Sequence, residues 1–84
     1  MTPPVFTPII RGGFRLDTTH QEILLEVIRN NGKTTQGEIA RLVQAQCRAP
    51  GPHAEAMASL YLLALSRAGV LERPLTGDTW MLTV

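Results

Sequence analysis

Cysteine occurs once in this 84-residue chain, at Cys47, which excludes an internal disulfide framework and points to a reducing compartment. Neither sign of charge dominates: eight Lys/Arg stand against seven Asp/Glu, a formal net charge of +1. A free-standing nucleic-acid binder usually carries a clear basic excess, because phosphate neutralisation and counterion release supply most of its affinity. Long apolar runs are also missing. The longest, Leu60 to Leu65, falls far short of the roughly 20 residues that cross a bilayer. The proline-broken start, MTPPVFTPIIRGG, does not read as a signal peptide, and a cytoplasmic location is expected.

Catalytic and ligand-binding chemistry is equally thin. His20, Cys47 and His53 are the only His and Cys residues, too few and too irregularly spaced for a zinc site, which normally takes four ligands. Arg11-Gly12-Gly13-Phe14 lacks the lysine and the strand-to-helix setting of a phosphate loop, so Gly12-Gly13 reads as a flexible joint. Glu22 and Glu26 lie one helical turn apart and away from the apolar stripe, where they stay solvated. No catalytic residue, metal or cofactor is expected, and the chain reads as a non-enzyme.

What is present suffices for one small domain: 44% of the residues are hydrophobic and 18% charged. Residues 1–13, with Pro3, Pro4, Pro8, Gly12 and Gly13, read as an arm, flexible or docked on a partner. Phe6, Ile9 and Ile10 favour docking, since a solvated tail seldom carries such residues together. Residues 14–84 form the folded domain. Its first helix is announced by Asp17-Thr18-Thr19, with Glu22 placed to close a capping box on Thr19, and by Ile23, Leu24, Val27 and Ile28 on one face; Asn30-Asn31-Gly32 stops it. Thr35-Gln36-Gly37-Glu38 opens a second helix, which fades near Cys47. A third helix should run from His53 to Ala68, with Gly69 as its left-handed stop. Tyr61, Leu62, Leu63 and Leu65 widen its apolar surface beyond one amphipathic face, so it is buried centrally or meets a partner. Two β-prone runs, Val70 to Arg73 and Trp80 to Val84, flank a turn and form a C-terminal hairpin. Trp80 and Tyr61 read as core residues rather than as stacking platforms for bases.

Three segments carry a family resemblance. Leu16-Asp17-Thr18-Thr19-His20-Gln21-Glu22-Ile23-Leu24 looks like a first helix, Thr35-Gln36-Gly37-Glu38-Ile39-Ala40-Arg41-Leu42 like a second, and Leu62 to Arg73 like a recognition helix entering a wing. In this order they resemble the winged helix-turn-helix superfamily of bacterial and phage regulators, mainly α with a small β-hairpin. The resemblance covers roughly residues 16–84 and implies duplex DNA as partner, bound by a transcriptional regulator through phosphate-backbone and groove contacts.

Carried over, it implies that Thr35 and Gln36 meet phosphate with Lys33 alongside, that His53 and Ser59 on the third helix face the major groove, and that Arg41, Arg48 and Arg73 track the backbone. A homodimer, contacting through the arm residues Phe6, Ile9 and Ile10 and through Tyr61 and Leu62, would double the phosphate contacts. The third helix departs from the pattern. Its first half, His53 to Ser59, has no Arg, Asn or Gln for bidentate base contacts, and Glu55 repels phosphate. The alternative is therefore a winged-helix protein-interaction module, such as a phage or plasmid accessory protein binding a host or replication protein, with little or no DNA binding.

Overall fold

The structure, a computed structural model, describes residues 7–83. The chain runs β1 (Ile9–Arg11), β2 (Phe14–Leu16), α1 (Thr18–Asn31), β3 (Lys33–Thr35), α2 (Gln36–Cys47), α3 (Gly51–Arg67), β4 (Leu71–Glu72), β5 (Thr79–Leu82). Three helices thus stand with two small antiparallel sheets, β1-β2 and β3-β5-β4. No helix among the described residues is long and apolar enough to cross a membrane.

Residues 9–11, expected within an arm, are a strand. Ile9 pairs with Leu16, Ile10 with Arg15 and Arg11 with Phe14, and Gly12-Gly13 between them is a two-residue turn rather than a loose joint. Both glycines have positive φ, +58° and +83°, the conformation a tight hairpin turn demands and other residues resist. Ile9 and Phe14 pack against the core while Ile10 stays exposed.

The cap of α1 is Asp17, and His20 takes the place expected of Glu22: its Nδ1 accepts the Asp17 N–H at 3.3 Å. The buried stripe is correspondingly rotated to Gln21, Leu24, Leu25 and Ile28, leaving Ile23 largely exposed. Gly32, at φ +78°, ends the helix by donating to the Ile28 carbonyl. The next residues form β3, a strand too short to show any periodicity; it exists because β5 returns beside it, pairing Thr34 with Trp80.

Thr35 caps α2 as expected, its Oγ1 accepting the Glu38 N–H at 3.2 Å. Arg48 then turns the chain with φ +56°, alone in positive φ among the described non-glycine residues. Pro52 sits in the first turn of α3, where a missing N–H costs nothing. At its far end Val70 donates to the Leu65 carbonyl and Gly69 to that of Ser66, a Schellman closure with Gly69 at φ +79°. That closure aims the chain straight into β4.

The core is built around α3, which packs on α2, β1 and β4. Met57, Tyr61, Leu62 and Leu65 meet Leu16, Leu24, Ile28, Ile39 and Val43 in one cluster, closed on the sheet side by Leu71 and Trp80. Two polar side chains tie the layers together inside it. Gln21 Nε2 donates to the carbonyls of Thr7 (2.7 Å) and Leu16 (3.1 Å), holding the N-terminal hairpin to α1. Tyr61 Oη donates to the Gln21 carbonyl at 2.6 Å, joining α3 to the same point.

Candidate interaction surface

Helical periodicity divides α3 sharply. Ala54, Met57, Ala58, Tyr61, Leu62 and Leu65 are buried at the i, i+3, i+4 spacing of an inward face. Tyr61 and Leu62, expected at a partner contact, are fully buried and cannot touch one: α2, the N-terminal hairpin and the sheet already cover them. Of the other expected contact residues, Ile10 is exposed, Ile9 is half-buried against the core and Phe6 lies outside the described residues. The side of α3 turned from the core presents Leu60, Ala64 and Arg67 to solvent, with Ala56, Ser59 and Leu63 half-buried between them, while Glu55 is exposed beside α2. Leu60 is 45% exposed.

The residues expected to meet DNA are dispersed over several elements. His53 lies under the N-terminal hairpin: its imidazole touches Gly12 so closely that a Cβ there would come within 2.6 Å, and its ring centroid is 5.8 Å from that of Phe14. Half-buried against the hairpin, it is a poor candidate for groove contact. The Thr35 hydroxyl is occupied as the α2 cap. Gln36 is half-buried at the first turn of α2. Lys33 belongs to the outer face of the three-stranded sheet, in a row with Met81 and Glu72, so an acid shares its surface. Arg73 begins the loop between β4 and β5, whose Leu75 is 101% exposed.

Arg41 and Gln44 are exposed on α2, and Arg48 is exposed at its C-cap. Arg41 and Gln44 line a cleft against the start of α3, shared with Gly37, Ala40, Gly51, Ala54 and Glu55. The small residues bring the two helices together and leave a volume of about 210 Å³. That is below the roughly 300 Å³ of small ligand pockets, and Glu55 offsets Arg41 at its rim. Pro50 precedes α3 without a side-chain cap on its first turn.

Cys47 completes the picture beneath the hairpin. Its Sγ donates to the Arg15 carbonyl at 3.3 Å, and burial, helped by the nearby Asp17 charge, pushes the thiol pKa up, away from a reactive thiolate. Arg15 and Asp17 form an ion pair on the exposed rim, where such pairs add little stability. No group of His, Cys, Asp or Glu among the described residues could hold a metal.

The sequence points to α3 as a partner-contacting helix, but to its buried residues Tyr61 and Leu62 rather than to the exposed Leu60. The sign was there in the apolar width of Leu60 to Leu65, but which of those residues faced outward depended on elements remote in sequence. No family model matches the chain, and neither a curated protein nor a solved structure matches it.

Proposed function

We propose that this chain is a winged-helix module that docks a protein partner through the outward face of α3. The order α1-β3-α2-α3 followed by the β4-β5 hairpin supports the winged-helix reading, as does the sheet order β3-β5-β4, in which the last strand returns between the other two. The single observation that carries the docking reading is the chemistry of that face. Where a groove-reading helix needs donors aimed at bases and phosphates, α3 turns out Leu60 and Ala64, with Leu63 half-buried beside them. Such a surface gains by excluding water against another apolar surface, not by meeting a polyanion.

A second reading has its own observation. Arg41 and Gln44 are exposed on α2 and Arg48 at its C-cap, beside the uncapped start of α3, a pattern that suits phosphate-backbone contact. Amide-shift mapping on titration with duplex DNA at low salt separates the two. The docking reading expects small shifts, confined to α2 and quenched by moderate salt, with α3 residues 55–67 unmoved. Large shifts along that stretch of α3 would overturn it in favour of groove binding. Should α2 alone respond, Arg41→Ala and Arg48→Ala are expected to weaken binding to all sequences alike and to flatten its salt dependence.

A further inference from the structure

We propose that Asn31-Gly32, at the joint between α1 and β3, is a site of spontaneous deamidation that the fold holds shut and that opens when β5 leaves the joint. Asn31 is the last residue of α1 and is exposed, so water reaches its side-chain amide. Glycine follows it, with no side chain to hinder attack by its own backbone nitrogen. In the reaction that nitrogen bonds to Cγ of Asn31 and closes a cyclic imide. The Cγ–Nδ2 bond breaks, and the amide group leaves as ammonia with the Gly32 amide proton. Water then opens the imide at either carbonyl, giving aspartate or iso-aspartate. Water is taken up and ammonia released, with no change of oxidation state.

Hydrogen bonds on both sides of Gly32 keep its nitrogen from attacking. The Gly32 N–H donates to the Ile28 carbonyl at 2.8 Å, and the Gly32 carbonyl accepts the Leu82 N–H at 3.1 Å. The first holds the proton that must be lost. The second ties the joint to the β5 end of the sheet. Asn31 itself is helical, and the ring closes only when its ψ turns far from the helical value. Attack therefore waits for a local opening in which the helix cap and the β3-β5 pairing are released together. The change does not reverse. Iso-aspartate carries the main chain through its β-carbon and lengthens the joint by a backbone atom, so Gly32 no longer serves Ile28 and Leu82 at once. Aspartate places a negative charge at the negative end of the helix dipole. Either product records that the sheet has opened.

Incubation of the whole chain at mildly alkaline pH, folded and in concentrated guanidinium chloride, tests the gate. Mass spectrometry of residues 27–38, released by cleavage after glutamate, follows Asn31; Asn30, whose neighbour carries a side chain, is the slow control. Asn31 should convert at least about tenfold more slowly in the folded chain than in the unfolded one. Its rate should rise together with hydrogen exchange of the Gly32 amide across sub-denaturing guanidinium chloride, since the same hydrogen bond gates both. Trp80→Ala should hasten conversion in buffer, and Leu75→Ser, on the loop between β4 and β5, should leave it at the wild-type rate. A denatured chain that keeps Asn31 intact overturns the site, and equal rates folded and unfolded overturn the gate. Conversion indifferent to Gly32 exchange or to Trp80→Ala, or hastened as much by Leu75→Ser, overturns its placement at this joint.

Discussion

The two hairpins of this molecule differ in how they are held. The N-terminal one, β1-β2, has strands of three residues and a two-glycine turn, and its stability comes from outside: Gln21 grips its backbone and the Gly12 turn rests on His53. The C-terminal one, β4-β5, carries a long loop over residues 73–78, yet it is anchored within its own sheet. Trp80 lies in the central strand, opposite Thr34 of β3, and turns into the core. A tight turn on a short ribbon thus needs docking, because a two-stranded hairpin alone is marginal in water, whereas a three-stranded sheet over a core tolerates a loose loop.

The largest expected effect comes from removing the anchor of the second hairpin. Trp80→Ala should cost about 3–5 kcal/mol, the range for a buried aromatic truncated to alanine, and chemical denaturation with a helix-sensitive readout measures it. A cost below about 1 kcal/mol would mean that the sheet is held by its backbone pairing and not by its core contact.

Next stands the docking of the first hairpin. Gly12 and Gly13 both have positive φ, so alanine at either costs about 1–2 kcal/mol of backbone strain. Only Gly12 faces His53, while nothing lies within 4 Å of a Cβ on Gly13. Gly12→Ala should therefore be the more damaging of the pair, and hydrogen exchange should show β1 and β2 released while the sheet β3-β5-β4 keeps its protection. Equal costs at the two positions would show that the turn does not press on α3.

Gln21 is the smaller half of the same grip. Gln21→Ala withdraws the donor serving Thr7 and Leu16 and is expected to cost about 1–3 kcal/mol, again loosening the first hairpin in preference to the second. The Tyr61 hydroxyl, bonded to the Gln21 carbonyl, adds a pH dependence. Burial holds its pKa well above the usual tyrosine range, against a smaller lowering by the Arg29 charge. A raised folded-state pKa contributes stability that is fully present below the unfolded value of about 10 and is lost as pH climbs above it. Since Tyr61 is the only tyrosine in the chain, its phenolate absorbance should appear only together with loss of the helical signal. Ionisation near pH 10 with the helices intact would contradict its burial.

The same contrast explains what was legible beforehand. The three helices and the C-terminal hairpin announce themselves locally, through the Thr35 cap, the glycine stops at Gly32 and Gly69 and the alternation around Trp80. The first hairpin and β3 do not. Strands of three residues are too short for alternation to register, and β3 owes its existence to β5, which arrives far later in the chain. Gly12-Gly13 between apolar residues is a hairpin signal, but the surrounding prolines favour reading an arm. The site was half legible. The excess of apolar residues on α3 is plain in sequence, yet placing Tyr61 and Leu62 inside, Leu60 outside and Leu63 half-way requires knowing that α2, β1 and β4 pack around that helix.

The smallest expected effect is at the tip of the loop between β4 and β5. Leu75 is fully exposed and appears in none of the core packing, so nothing in the fold depends on its side chain. Leu75→Ser should change stability by no more than about 0.5 kcal/mol, the usual span of surface substitutions. A measurable loss would mean that the loop folds back onto the body and that the second hairpin, like the first, is held by docking. A small gain in solubility is the opposite sign, expected from removing an apolar side chain that water surrounds on all sides.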